Sequence, residues 1–381
     1  MRRGALDAAI AALVVVATAM PAAEPPTRAE VDALIAQGQA WLLAGQRADG
    51  AFLPDDGFAL GVTAMAGAML CEEPALATDD PRLRRAVEFV LRFRQDDGGV
   101  YDPDEGLANY GTALALQLFT SAGGVDDAVV AGARDWLLGR QNREPGSLGE
   151  GGVGYGDGKQ AGSEDLSNTG YALAALARAG VPADDPAMQR ALTFLERCQN
   201  LSSVNQAPWV ANDGGGVYSP TDAGGSWDAA QAQGAADREK FTSTGTMSYS
   251  LLSTYLALRL TPEDERVRAA LDYVRRNYRF DANPGMAAGR ERQGLFYYYA
   301  LMARTFALLG IDHVELPDGG SADWRADLYA AIAGHVQRTP LADGSTGAFW
   351  INEARRWGEG IPHLATVYML GALKAIRSRL P

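Results

Sequence analysis

Three stretches of this 381-residue chain carry side chains that could move a proton. Glu359 and His363 stand one helical turn apart and could form an acid/base pair, though such a pair is more often a helix cap or a solvated contact. Asp165 heads the run Asp165-Leu166-Ser167-Asn168-Thr169, just before an apolar stretch, where a carboxylate either caps a helix N-terminus or serves as a buried acid. Tyr297, Tyr298 and Tyr299 are consecutive, so on a helix they point to three faces and at most one or two can reach a common cavity. Only three His and two Cys are present, which supports neither a thiolate zinc cluster nor a disulfide framework.

These groups need a scaffold, and the composition supplies one. Hydrophobic residues make up 47% and charged residues 21%, enough to bury a large core. The net charge of −13 argues against nucleic-acid binding and against docking on anionic lipid, both of which need clustered Lys and Arg. At the N-terminus, Arg2 and Arg3 precede the apolar run Ala8 to Ala19 and the small-residue sites Ala17-Thr18-Ala19 and Pro21-Ala22-Ala23. That pattern predicts a secretory signal over residues 1–23 and a soluble, exported mature chain without a transmembrane anchor.

From residue 24 to 381 one pattern recurs six times: a helix with one polar side, a Gln, a Gly-rich turn, then an Ala/Leu-rich helix opened by Thr or Ser. The Gln and turn read Gln46…Gly50-Ala51-Phe52, then Gln95…Gly98-Gly99-Val100-Tyr101, then Gln141…Gly151-Gly152-Val153. Later turns follow Gln199, Tyr278 and Gln337. The opening Thr residues are Thr63, Thr112, Thr169, Thr246 and Thr366. The first helix of each unit alternates apolar and charged residues, so one side faces water; the second is apolar all round and belongs inside. Residues 200–241 form the longest insertion, rich in Gly, Asn, Asp and Ser, and predict a surface loop suited to a protein partner. The Gln amide is expected to donate to free carbonyls at its helix end and to accept from the next helix.

The repeat resembles the terpenoid cyclase and protein prenyltransferase superfamily, in particular the squalene-hopene cyclase-type repeats with their Gln, Gly and aromatic turn. The resemblance covers about residues 30–378 and implies an all-α fold: an α6/α6 toroid, a double ring of six helical hairpins around a central cavity. It further implies an isoprenoid or other apolar ligand there. Squalene-hopene cyclases start their reaction at an Asp-x-Asp-Asp-Thr motif. The matching stretch keeps Asp165 and Thr169 but has Ser167 where the proton donor stands and Asn168 for the last Asp. A hydroxyl cannot protonate an alkene, so acid initiation at that position is not expected. The zinc site of protein prenyltransferases has no counterpart, because aromatics occupy the expected Asp and Cys positions and His363 is out of register. Neither a metal nor another cofactor is predicted.

If the units are alike, all six inner helices start at one end of the ring, and their N–H groups make a mouth suited to an anionic or strongly hydrogen-bonding ligand. Candidate ligand contacts there are Asn109, Tyr110, Asn168, Thr246, Tyr249, Tyr297 and Tyr298, with Arg290, Arg292 and Trp357 from nearby loops. Two other functions stay open: a carbohydrate-active enzyme using two carboxylates from among Asp97, Asp102, Asp213 and Glu359, or a non-catalytic interaction scaffold. Cys71 and Cys198 fall on oppositely running helices, which predicts two free buried thiols.

Overall fold

The computed structural model describes residues 24–53, 58–72, 76, 80–156, 163–220 and 241–381. The proposed signal segment 1–23 and residues 221–240 of the expected insertion lie outside the described residues.

Among the described residues the body is built from twelve α-helices. Six form the outer layer: α1 (Arg28–Ala44), α3 (Pro81–Leu91), α5 (Asp127–Arg140), α7 (Pro186–Arg197), α9 (Glu265–Arg276) and α11 (Trp324–Gly334). Six alternate with them inside: α2 (Ala59–Cys71), α4 (Ala108–Ala122), α6 (Leu166–Arg178), α8 (Gly245–Ala257), α10 (Leu295–Leu309) and α12 (Pro362–Ser378). Each inner helix packs on the next, and α12 packs back on α2, so the inner ring closes. This is the α/α toroid expected from the repeat. Two short antiparallel hairpins decorate the last unit: β1 (His313–Glu315) with β2 (Ser321–Asp323), and β3 (Gln337–Pro340) with β4 (Thr346–Phe349).

The outer helices start by a common device. Asp80, Asp126, Asp185, Asp264 and Asp323 each occupy the N-cap, and each side chain accepts from the backbone N–H two residues on. In α1 a capping box of Thr27 and Glu30 does the same work. Six acidic side chains thus serve to start the outer helices.

The Gln of the repeat fastens one unit to the next. Gln46 Nε2 donates to Gly50 O (3.0 Å) and, across the seam, to Arg82 O (2.8 Å) in the first turn of α3. Gln141 Nε2 repeats this on Gly151 O (2.9 Å) and Ala187 O (2.7 Å), and Gln199 Nε2 on Gly214 O (3.0 Å) and Arg266 O (2.9 Å). The acceptors are thus the turn and the next outer helix, not the carbonyls of the Gln's own helix end as expected. The Oε1 accepts from the next helix as anticipated, through Arg85 on Gln46 and Arg190 on Gln141. Gln95 differs: it bonds within its own turn, and Asp97 reaches Trp136 Nε1 (2.8 Å) on the next outer helix instead. The turn glycine is obligatory. Gly151 is left-handed (φ 87°), and a Cβ there would collide with the carbonyl of Arg190.

The Thr of each inner helix ties down the turn. Thr63, Thr112, Thr169 and Thr366 accept from the backbone N–H of Phe52, Val100, Val153 and Trp350 at 2.9 to 3.2 Å. In the fourth unit Ser248 takes this part, on Gly216 N (2.9 Å), and not Thr246.

One expectation needs correcting: Cys71 and Cys198 are both free, but only Cys198 is buried; Cys71 ends α2 and is half-buried. The described part of the insertion is irregular, with Ser202, Ser203, Gln206 and Asn212 exposed, and is pinned by side-chain amides. Asn200 Nδ2 donates to Phe241 O and Ser243 Oγ, Asn205 Nδ2 donates to Arg197 O and Gln199 O, and Tyr218 is buried at the hub. Side-chain amides have replaced secondary structure as the partner of this backbone.

Candidate functional site

The first turns of all six inner helices border a chamber of about 310 Å³ at the hub. Its wall is aromatic and aliphatic: Tyr110, Tyr155, Tyr171, Tyr218, Tyr297 and Tyr368 alternate with Leu60, Met65, Leu114 and Leu364, and Phe58 and Trp357 stand at its edge. The tyrosine rings pack on one another, Tyr110 against Tyr155 and Tyr171 at 5.6 and 5.2 Å, Tyr297 against Tyr368 at 5.3 Å. A second chamber of about 580 Å³ lies toward the helix C-termini, and Met65, Leu114, Tyr171, Tyr297 and Tyr368 line both.

Phase explains which residues face the hub. The turn-binding Thr or Ser points outward. Two residues along a helix is about 200°, so the residues two before and two after it point inward. Hence Gly61 and Met65 flank Thr63, Tyr110 and Leu114 flank Thr112, Ser167 and Tyr171 flank Thr169, and Leu364 and Tyr368 flank Thr366. Small residues along this stripe, such as Gly61, keep the chamber open.

Asp165 caps α6 from behind this wall and is 1% exposed. Its carboxylate accepts from Asn168 N (2.8 Å) and Asn168 Nδ2 (2.7 Å), while Asn109 Nδ2 donates to Asn168 Oδ1 (2.9 Å). Burial pushes the carboxyl up to about 7 against these donors and that of Tyr218, so near neutral pH it holds a proton about half the time. Tyr218 joins Asp165 to the chamber, and its hydroxyl lies 2.5 Å from that of Tyr155. Asn109 and Asn168 are fully buried in this network and do not line the chamber.

Glu359 is a second buried carboxyl. It accepts from Tyr297 N (2.7 Å) and Asn352 Nδ2 (2.5 Å) and also takes the N–H groups of Phe296 and Leu295. It thereby caps α10, whose own N-cap, Gly294, has no side chain to offer. Desolvation raises this carboxyl too, to about 7. His363 packs on Trp41 at 4.6 Å, on the outer side, so the two residues serve different neighbours.

The remaining sequence candidates separate. Tyr110, Thr246, Tyr297 and Trp357 line the upper chamber. Trp357 is 38% exposed and sits in the left-handed region (φ 51°), packed over Gly294. Tyr298 turns away and donates to Arg279 O, and Tyr249 packs edge-on against it at 5.5 Å in the core. Arg290 and Arg292 are exposed on the loop before α10 and line neither chamber. Three of the six inner-helix starts are occupied by the protein's own side chains: Asp165 on α6, Glu359 on α10, and Thr244 with Asn283 on α8. Those of α2, α4 and α12 carry no side-chain cap, so the anion-binding mouth anticipated from the helix ends is narrowed to that half of the ring. Among the described residues no three His, Cys, Asp or Glu come together as a metal would require. No described helix is long and apolar enough to cross a membrane.

Residues 56–217 match the family model of the squalene-hopene cyclase C-terminal domain. Comparison with curated proteins gives no match. Among solved structures, the type II terpene cyclase MstE from Scytonema, as a variant in complex with geranylgeranyl dihydroxybenzoate (substrate), is similar over 93% of this chain and 99% of that one, at 16% identity and a TM-score of 0.56. A D-mannose isomerase is similar over 92% and 97% (12% identity, TM-score 0.58). An unsaturated glucuronyl hydrolase variant from Streptococcus agalactiae is similar over 93% of both chains (13% identity, TM-score 0.54). At these identities the solved structures share the ring alone; the family model over residues 56–217, with the closed ring, supports a terpenoid cyclase-type superfamily.

Proposed function

We propose that the protein binds an elongated, isoprenoid-type apolar ligand in its hub. The observation that carries this is the upper chamber itself, apolar and aromatic, with a wall drawn from all six inner helices. A volume of about 310 Å³ lies within the usual range of small-molecule sites. Tyrosine rings offer such a ligand broad apolar faces, and their hydroxyls are engaged with each other and with Ser167 (Tyr110 at 2.9 Å), so little unpaired polarity opposes it.

Asp165 favours a second step. A carboxyl near 7 is suited to giving up a proton near neutral pH to a polarised group, such as an epoxide or allylic oxygen; a bare alkene demands a stronger acid. The proton would leave Asp165 for Tyr218 Oη as the proton of Tyr218 passes to Tyr155 Oη and that of Tyr155 to the ligand oxygen, leaving Asp165 as carboxylate. Export of the mature chain is part of the same proposal and rests on the N-terminal pattern alone.

The test is calorimetric titration with geranylgeraniol, on the natural protein and on Gly61→Leu, which fills the chamber from α2. Binding that Gly61→Leu abolishes supports the hub as the site. No binding, alongside turnover of a polysaccharide, would remove the proposal. For the proton step, a terminal epoxide of the same alcohol should be consumed by the natural protein and left intact by Asp165→Asn.

A further inference from the structure

The lower chamber has a different chemistry from the upper one. Its wall includes Arg304, on the inner side of α10 two turns below Tyr297. Arg304 is exposed to this space, yet it lies deep in the ring, and desolvation holds its guanidinium below the usual range while Tyr297 and Tyr171 favour its charged form. It makes no hydrogen bond or ion pair with any described residue.

The other cations here are already satisfied. Arg178 and Lys374 both pair with Glu72, at 2.5 and 3.0 Å, and Lys374 also donates to Met69 O. They stand near the C-termini of α6 and α12, where basic side chains offset the helix dipole. Glu72 offsets one of these two charges, and the helix-end carbonyls face the other, so the rim holds its cations in contacts of their own. Arg304 is the exception: a positive charge on the chamber wall that faces the open space without a counter-charge of its own. A guanidinium presents a planar fork of donors that fits a carboxylate or phosphate.

We propose that the hub takes an amphiphile whose single anionic head, a carboxylate or a phosphate, pairs with Arg304 in the lower chamber while its apolar tail rises past Tyr171, Tyr297 and Tyr368 into the upper one. This rests on the hub being the site of an isoprenoid-type ligand and adds which end of the ligand goes where. The shared lining of the two chambers is what lets one molecule occupy both.

The experiment compares geranylgeranoic acid, geranylgeranyl monophosphate and geranylgeraniol by calorimetry on the natural protein, Arg304→Gln and Arg304→Lys. The acid or the phosphate binds more tightly than the alcohol, and the tighter of the two identifies the head. Arg304→Gln removes that preference, weakening the charged ligand roughly ten- to a hundred-fold and leaving the alcohol unchanged. Arg304→Lys keeps part of it, because the charge stays while the fork is lost. An alcohol that binds the natural protein as tightly as both charged forms overturns this inference but leaves hub binding intact. So does an Arg304→Gln protein that weakens all three ligands alike. If none of the three binds, hub binding itself fails and the inference falls with it.

Discussion

Replacing Asp165 by Asn tests the central electrostatic claim, that a carboxyl behind the hub wall titrates far above the usual carboxylate range. Burial raises this group from 3.8 to about 7, a little over three pH units. At 1.36 kcal/mol per unit, that is about 4 kcal/mol. A raised acid stabilises the fold in its protonated form. Its contribution is complete below about pH 3.8, falls as pH rises, and is gone above about pH 7. Between about pH 5 and pH 8 the natural protein should thus lose roughly 3 kcal/mol from this group alone. The amide of Asp165→Asn does not titrate, so that fall disappears. The variant carries its own cost. Asn168 Nδ2 donates to the carboxylate while Asn168 Oδ1 is held by Asn109, so the new NH₂ meets a donor with no easy flip. One such buried mismatch costs about 1–3 kcal/mol. Urea unfolding of both proteins across this range should therefore show the natural protein losing roughly 3 kcal/mol relative to the variant between about pH 5 and pH 8, enough to offset or reverse the variant's initial deficit. Glu359 titrates in both proteins and cancels in the difference. Two curves that run parallel across the range would refute the raised carboxyl.

Other expectations follow from the seams and the hub. Gln141→Ala leaves the carbonyls of Gly151 and Ala187 without their donor and should cost about 2–4 kcal/mol, with loss of hydrogen-exchange protection at the seam between α5 and α7. Gly151→Ala should cost more than about 3 kcal/mol, whereas Gly180→Ala, also left-handed (φ 85°) but with open space around it, should cost only about 1–2 kcal/mol; thermal melts of the pair separate steric from conformational effects. Gly61→Leu should leave the melting temperature unchanged or raised, since a helix-interior glycine costs about 1 kcal/mol and a Cβ there meets only Leu114 at 3.6 Å. A thiol reagent should label Cys71 in the native protein and Cys198 only after unfolding.

The ring was legible because each unit repeats one hydrogen-bond logic in few residue types. A Gln, a left-handed Gly and a Thr recur at fixed positions, and each has one structural task in the seams already described. The Asp caps of the outer helices recur with the same regularity. The hub was less legible. Tyr297, Tyr298 and Tyr299 drew attention as a run, yet only Tyr297 reaches the chamber, because helical phase scatters neighbours. Tyr171 and Tyr368 were readable in principle from their offset to Thr169 and Thr366. Tyr218 was not, because it comes from an irregular segment whose path is set by the side-chain amides of Asn200 and Asn205 rather than by any periodicity. Asp165 was visible as a cap, but its role depends on the depth of burial, which one sequence does not encode locally. Arg304 looks like any helical arginine until the ring closes around it.

The way the ring closes has a consequence for how the protein comes into being. The first helix does not rest on its own hairpin partner alone. α1 packs on α12 and β4, Trp41 stacks on Phe349 at 5.1 Å, and Arg28 reaches the carbonyl of Leu380 at 3.3 Å. During synthesis α1 therefore waits for residues near Phe349 and Leu380, far later in the chain, before its apolar side is covered. During that interval the nascent chain is an open arc with a bare inner face, and no pocket exists for any guest. Occupancy of the hub can begin only once α12 has joined the ring, and a bound molecule then bridges helices from early and late in the ring, acting as a clasp on the circle.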